Sequence, residues 1–469
     1  MKSYIKSQLK ETNMLLVTGD VILVSIAFVL AVLTSQLFQN ELFQLAAYPT
    51  AISLFISPVI FYIFELYNHE RWNYSIRLFS YICAASVIAS AIVGILSYFF
   101  VSPVVINRTV LIPYSIFTMI FIFIWRNIFK KISSRIEKLR GKILFIGNSP
   151  IMNDIISTIR QTNEIPSDNY LVIRNYSENP GKVYINGSKT GISLLKLVMD
   201  DQYRTVVVSD SFSNFPVLKK QLLALRVEGI KIYDAPYFYE ELNGKVPIHY
   251  INDSWFLFRH QGMTFNPVLN RRIKKLLDKV LSLFALIIAF PLMLLIALAI
   301  KVSSRGPVFF KQVRLGRNEK PFTLFKFRSM VDNAEKETGD VWSSPNDPRT
   351  TKIGLFLRKT HLDELPQIFN VLKGDMSFVG PRPIRRVHAD MLAKEVPYYK
   401  FRFTVKPGLS GWGQVNAHYA YTNKEQAKKW EYDFYYIQNQ SVFFDLFIIV
   451  KTIQTVLFGK GQNRYYHSR

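Results

Sequence analysis

Apolar residues dominate four long segments within about the first 130 positions: Met14–Phe38, Ala46–Leu66, Phe79–Val101 and Thr109–Phe129. Each is near the ~20 residues that an α-helix needs to cross a bilayer, so residues 1–130 predict four transmembrane helices. The period then changes. Lys142–Ile146, Leu171–Arg174, Thr205–Ser209 and Ile230–Asp234 read as short buried strands, with helical patterns such as Met152–Thr162 and Pro216–Arg226 between some of them. That alternation predicts a small doubly wound, Rossmann-like α/β domain over residues 131–250. A fifth apolar run, Val280–Val302, follows with Pro291 in its middle. The chain thus reads as a membrane protein of mixed class: a four-helix transmembrane unit, an α/β domain, and an α-rich membrane-associated domain over residues 266–469.

Loop charges orient the four segments. Lys2, Lys6 and Lys10 precede the first, and the loop around Gln39–Gln44 has no Lys or Arg. Arg71 and Arg77 lie between the second and third, and Arg126, Lys130, Lys131 and Arg135 follow or end the fourth. Arg108 dissents and is outvoted, so both ends of the unit are expected on the cytoplasmic side. The first segment is too long, and too poor in small cleavage-site residues, for a removable signal peptide. Lys130–Arg140 reads as a charged linker. The fifth run has Arg271, Arg272, Lys274, Lys275 and Lys279 before it and Lys301, Arg305, Lys311, Arg314 and Arg317 after it. Like charge at both ends opposes a simple crossing, and a proline removes a helix hydrogen bond and kinks the axis. A re-entrant helix over about 280–302 satisfies both facts, and a kinked transmembrane helix is the alternative. Val442–Phe458 suits an interfacial helix or a buried one.

The formal charge of +24 can serve nucleic acid, anionic lipid or phosphorylated substrates. The basic residues sit largely beside apolar segments, without a basic–aromatic ladder, zinc pattern or nucleic-acid module. Membrane lipids are therefore the expected partner, and nucleic acid is not. The single cysteine, Cys83, excludes an intrachain disulfide and a cysteine-based metal site. Asp20, within the first span, is either a functional acid or a structural one. The turn Gly147-Asn148-Ser149-Pro150 lacks the G-x-G-x-x-G of a dinucleotide site, which favours a structural or oligomerisation role for the α/β domain over nucleotide sensing.

Candidate chemistry concentrates in residues 357–374. Leu365, Ile368, Phe369 and Leu372 keep an i, i+3, i+4, i+7 spacing, which predicts a helix with one buried face. Gly374 is its natural stop, and Pro366 is tolerated only in its first turn. Asp363 and Glu364 then fall at or near the helix N-terminus, where free N–H groups favour carboxylates and phosphate. One acid can meet a cation or attack phosphorus while its neighbour assists; the alternative is a pair of ordinary helix-start acids. The surroundings favour chemistry. Arg358 and Lys359 lie just upstream, and Lys326-Phe327-Arg328-Ser329-Met330 is a second basic cluster. Pro381-Arg382-Pro383 fixes an arginine between rigid residues, lowering the entropic cost of bidentate phosphate binding. Lys406–Asn416, which includes Gln414, is a glycine-punctuated loop offering backbone donors and an exposed aromatic, Trp412.

Through Lys326–Met330, Arg358 with Leu362–Gln367, Lys373–Pro383, Lys406–Asn416 and Tyr432–Tyr436, the stretch 270–460 resembles the bacterial sugar transferase family, the monotopic phosphoglycosyl transferases. The preceding spans and α/β domain resemble, by architecture, its long subgroup of polyprenyl-phosphate hexose-1-phosphate transferases. The resemblance implies transfer of a hexose-1-phosphate from a UDP-sugar to undecaprenyl phosphate with release of UMP. That is the first membrane step of exopolysaccharide, O-antigen or capsule synthesis at the bacterial inner membrane. It further implies Asp363 as nucleophile and Mg²⁺ ligand, forming an aspartyl phosphosugar intermediate, and Glu364 as the partner that deprotonates or positions the acceptor phosphate. Arg358 and Arg382 would bind phosphate or nucleotide, with Lys326, Arg328, Pro381, Pro383 and Gln414 at the substrate site, and a homodimer is expected. Two positions depart from the family: Phe290-Pro291 replaces a frequent Ser-Pro, and His361 replaces a small hydroxyl residue. A membrane glycosyltransferase releasing UDP and a non-catalytic scaffold or nucleotide sensor remain as alternatives. The donor sugar is open between glucose, galactose and N-acetylated sugars.

Overall fold

A computed structural model describes residues 4–34, 47–67, 76–100, 108–138, 142–162, 165–174, 194–209, 216–253, 267–331, 347–417 and 422–458. The chain divides into two compact units, Met1–Leu242 and Asn243–Arg469.

In the first unit α1 (Tyr4–Thr34), α2 (Ala47–Ile63), α3 (Ile76–Phe100) and α4 (Arg108–Lys138) occupy the four predicted apolar segments. Stretches of 21, 22 and 25 residues in α1, α3 and α4 are long and apolar enough to cross a membrane. α2, at 17 residues, is about 25 Å long, short of the ~30 Å hydrocarbon core. The predicted linker from Lys130 is instead a continuation of α4 to Lys138. Residues 130–138 contain neither Gly nor Pro, so nothing local stops the helix before Gly141. Lys2, Arg71 and the 39–44 loop lie outside the described residues.

Arg126 is no flanking charge. Its guanidinium donates to both oxygens of Asp20 at 2.6 and 2.7 Å, and both side chains are excluded from solvent between α1 and α4. A bidentate pair satisfies two groups that hydrocarbon could not, which assigns Asp20 a structural role. Asp20→Asn keeps the shape and removes the compensating charge. It should cost about 2–3 kcal/mol, near the lower limit for breaking a buried pair, read as a lower Tm in detergent. Adding Arg126→Gln should recover most of the loss, and a double variant no better than the single one would refute the pairing argument.

β1 (Lys142–Ile146), β2 (Tyr170–Ile173), β3 (Tyr203–Val208) and β4 (Lys231–Asp234) lie within two residues of their predicted bounds and form an all-parallel sheet of order β2-β1-β3-β4. They alternate with α5 (Pro150–Thr162), α6 (Leu194–Asp200), α7 (Pro216–Val227) and α8 (Ala235–Asn243). Leu144, Ile146, Val206 and Val208 pack with Leu197 of α6 and Leu222 of α7. Phe145, pointing the other way, meets Phe238 of α8 edge-on at 5.6 Å. Cover on both faces is why these strands read as continuous apolar runs.

The second unit begins before the predicted residue 266, since Val246 and Ile248 join its core and the Val246 amide donates to the Glu431 carbonyl at 3.0 Å. Its membrane element is α9 (Pro267–Ser303), a 37-residue helix containing Pro291 and apolar enough to cross a membrane. Met293, Ile296 and Ile300 pack against Phe327 and Leu357, whereas Leu283, Phe284, Ile287, Leu294 and Leu298 are exposed, an apolar surface of the kind lipid covers. The hairpin of β5 (Phe309–Leu315) and β6 (Pro321–Phe327) follows. Then come α10 (Lys352–Lys359), α11 (Gln367–Lys373), β7 (Ser377–Val379), α12 (Arg386–Glu395), β8 (Gly408–Ser410), α13 (Trp412–Asn416), α14 (Asn423–Gln438) and α15 (Val442–Leu457). α15 is amphipathic: Ile448 is buried in the core, while Phe443 and Leu457 face outward.

Candidate active site

Asp363 and Glu364 stand in a 3₁₀ turn, Leu362–Glu364, closed by Glu364 N–H to His361 O at 3.2 Å and Leu365 N–H to Leu362 O at 3.3 Å. His361 enters that turn in the left-handed region, at φ 58°, a conformation that His, like Asn and Asp, adopts more often than other residues with a Cβ. The helix expected to carry the acids starts only after them. Pro366 has no N–H to continue an i→i−4 ladder, so α11 begins at Gln367 and runs seven residues to Gly374, whose φ of 95° closes it. A helix that short, starting beyond the acids, is not what stabilises them.

The buried face of α11 also differs from the predicted one. It carries Gln367, Ile368, Asn370 and Val371, and Phe369 is exposed. The pattern misled because Asn370 is a core residue: it accepts from Phe325 N–H at 3.1 Å and donates to the Thr323 carbonyl at 2.7 Å. Those bonds stitch α11 to β6 and so fix the height of Lys326. Lys326 Nζ reaches Glu364 Oε1 at 2.7 Å and Asp363 Oδ2 at 3.9 Å. Arg382 comes from the other side, with Nη1 donating to Glu364 Oε2 at 3.3 Å and Nη2 to Oε1.

Arg382 is held by backbone. β7 and β8 pair in parallel, Ser377 with Gly408 and Val379 with Ser410, and Gly408 N–H donates to Pro381 O at 2.9 Å. A Cβ on Gly380 would strike the Lys406 carbonyl, and one on Gly408 the Gly380 amide nitrogen. The two glycine motifs therefore exist to bring two chain segments together and aim the arginine between Pro381 and Pro383.

This arrangement splits the acids electrostatically. Burial pushes Asp363 up from the usual carboxylate range, and the adjacent Glu364 charge adds to it, outweighing Lys326 and Arg382. Burial would push Glu364 up too, but the charges and hydrogen bonds of Arg382 and Lys326 outweigh it and hold the group well below its usual range. Asp363 accepts no hydrogen bond among the described residues, so it is the more basic carboxylate with free lone pairs. Glu364 is the permanent anion that anchors two cations.

A family profile for bacterial sugar transferases matches residues 269–459. The uncharacterized sugar transferase EpsL of Bacillus subtilis (strain 168) is 40% identical over 195 residues, 92% of that protein and 42% of this chain. The chain belongs to the bacterial sugar transferase family. It is also 40% identical over 232 residues to the UDP-N-acetylgalactosamine-undecaprenyl-phosphate N-acetylgalactosaminephosphotransferase of Aeromonas hydrophila, covering 50% of this chain and 53% of that one. The UDP-glucose:undecaprenyl-phosphate glucose-1-phosphate transferase of Escherichia coli (strain K12) is 44% identical over 186 residues, 39% and 40% of the two chains. The matched stretch thus spans about half or less of these longer relatives.

Other expected site residues are engaged elsewhere. Arg328 donates to the Arg305 carbonyl at 3.0 Å and to the Ser304 carbonyl and hydroxyl at 2.8 Å, binding the segment that leaves the C-terminus of α9. Arg358 donates to Thr350 Oγ1 at 3.1 Å and acts electrostatically on Asp347. Gln414 donates to the Leu409 carbonyl at 3.1 Å, while its Oε1 is buried without a hydrogen-bond partner among the described residues. Trp412, expected to be exposed, is buried with Nε1 donating to the Gly244 carbonyl at 2.7 Å. Sequence reasoning missed Arg402, Lys429 and Asp433. Arg402 is buried, donates to the Arg382 carbonyl at 2.9 Å and to the Tyr399 hydroxyl, and is pushed down to about 10 by burial. The available signal was the charged pair Lys429 and Asp433, four apart on a helix whose Trp430 and Phe434 face the core.

Among the described residues no three His, Cys, Asp or Glu side chains converge as a metal cage. One unbonded carboxylate is nevertheless a fitting donor set for Mg²⁺, which takes one or two protein carboxylates and completes its shell with phosphate oxygens and water.

Proposed function

We propose that this sugar transferase moves a sugar-1-phosphate from a UDP-sugar to undecaprenyl phosphate, releasing UMP, on the cytoplasmic face of the bacterial inner membrane. The observation that carries the reading is the split pair: a basic, unbonded Asp363 beside a Glu364 that Lys326 and Arg382 hold ionised. An Asp363 oxygen attacks the sugar-linked phosphorus, the bond to the uridylyl oxygen breaks, and UMP departs with the electron pair. An oxygen of undecaprenyl phosphate then attacks the same phosphorus and Asp363 leaves as carboxylate. Splitting the transfer lets UMP depart before the lipid arrives. Lys326 and Arg382, fixed in advance, neutralise charge that builds on the diphosphate oxygens. Mg²⁺ held through Asp363 would add neutralisation at those oxygens when bound.

The membrane geometry follows the same reading. Basic residues at both ends of α9 favour a helix that dips into the cytoplasmic leaflet and returns about Pro291, and the outward apolar face of α15 suits the interface. The parallel sheet fits a Rossmann-like accessory domain of the long subgroup. Relatives whose names specify glucose and N-acetylgalactosamine leave the sugar open. Purified protein in detergent should release UMP from one member of a UDP-sugar panel, given undecaprenyl phosphate and Mg²⁺. UDP as the product would make it a glycosyltransferase, and no nucleotide from any donor would overturn the reading.

A further inference from the structure

α14 presents a cation that the reaction above leaves unused. The stem of Lys429 lies against Gly413, where an added Cβ would come within 3.0 Å of Lys429 Cγ. One turn later Asp433 Oδ1 accepts the Gly413 amide at 3.1 Å, fixing α14 to the loop that also pairs with the Arg382 segment. The Lys429 ammonium sits in the field of Arg382, Arg402, Asp433 and Glu364, yet among the described residues it makes neither a hydrogen bond nor an ion pair. The carboxylates nearby are committed: Glu364 to Lys326 and Arg382, and Asp433 to the Gly413 amide.

A partly buried ammonium in the field of two guanidinium groups and without an anion in contact is costly. Burial first, then the Arg382 charge, push it down to about 8. A fold that keeps such a group beside fixed arginines is complementary to an anion that arrives later. Lysine is a compact point charge with three donors, well matched to a phosphate oxygen.

We infer that Lys429, with Arg382, forms a phosphate subsite of the transferase, for the uridylyl phosphate of the donor or the headgroup phosphate of undecaprenyl phosphate. The inference rests on the transferase reading and adds a binding residue to it. Gly413 and Asp433 act as positioning residues for this cation.

The test compares full-length wild type, Lys429→Met and Lys429→Arg in detergent. It reads KM for each substrate, UMP affinity by titration, and Tm. Losing one charge-assisted phosphate contact should raise the relevant KM about 10- to 100-fold in Lys429→Met, with Tm raised because a costly charge is removed, and Lys429→Arg should return most of the loss. A rise in the UDP-sugar KM together with weaker UMP binding assigns the uridylyl phosphate. A rise in the undecaprenyl phosphate KM alone assigns the lipid headgroup. Wild-type KM values and UMP affinity in Lys429→Met overturn the inference. So does a Lys429→Met that fails to fold, or a Lys429→Arg as impaired as Lys429→Met with a lowered Tm, because either makes the residue a packing element. Wild type that neither releases nor binds UMP strikes the transferase reading instead.

Discussion

Asp363→Asn is expected to lower UMP release by about 10⁴-fold or more, the scale of losing a nucleophile, and at the same time to raise the Tm. The two effects have one cause. Asp363 is buried, and its folded carboxyl is more basic than the same group in the unfolded chain. The folded state therefore binds a proton more tightly, and stability falls as pH rises from the unfolded value through the raised folded one. Above that window the full cost of keeping the group ionised is present, so removing the charge helps most at neutral pH and little in acid. Such a trade of stability for activity is common where a site is kept strained for chemistry. The checks are a UMP assay, a Tm scan at two pH values, and trapping of labelled sugar phosphate on wild-type protein but not on the variant. Residual activity within tenfold of wild type would remove Asp363 from the role of nucleophile, and a lowered Tm at neutral pH would overturn the account of its raised pKa.

What the sequence discloses of this site depends on whether the relevant force is local. The central strands β1 and β3 were legible because each is a short apolar run buried along most of its length, and the spans because each apolar segment is long. Lys326, Glu364 and Arg382 are 38 and 18 residues apart, and only the motif resemblance placed them in one site. Where a guanidinium points is a tertiary matter: Arg328 follows the last residue of β6, so strand alternation no longer governs it, and it turns to Ser304 at the end of α9. Trp412 looked exposed because its acceptor, the Gly244 carbonyl, is 168 residues away. The face of α11 was misread because an asparagine supplies the bonds that hold it. Lys429 is marked in the sequence only by its four-residue spacing from Asp433; the groups that surround it come from four separate segments, which that spacing does not announce.

Glu364→Gln should act with the opposite sign to its neighbour on stability and by a different route on catalysis. Glu364 is held well below its usual range by Arg382 and Lys326, which outweigh the burial that would raise it. A group depressed in the fold contributes stability that is present above the unfolded pKa and lost as pH falls through the folded one. Glutamine can accept a hydrogen bond but cannot neutralise two cations, so the variant should lose about 2–3 kcal/mol at neutral pH. That is less than the 3–5 typical of a fully buried pair, because water can reach Arg382, whose side chain is 41% exposed. With their anchor gone, Lys326 and Arg382 lose their aim, and activity should fall by about 10²–10³-fold, the scale of a lost preorganised contact. A carboxylate held this far down is a poor proton acceptor near neutrality, so the loss should appear mainly as a raised KM for the UDP-sugar. The pH profile should keep its shape, since no titrating base has been removed. If instead Glu364→Gln abolishes the acidic limb of the wild-type profile and leaves KM unchanged, Glu364 is a base and the anchoring account of the pair is wrong.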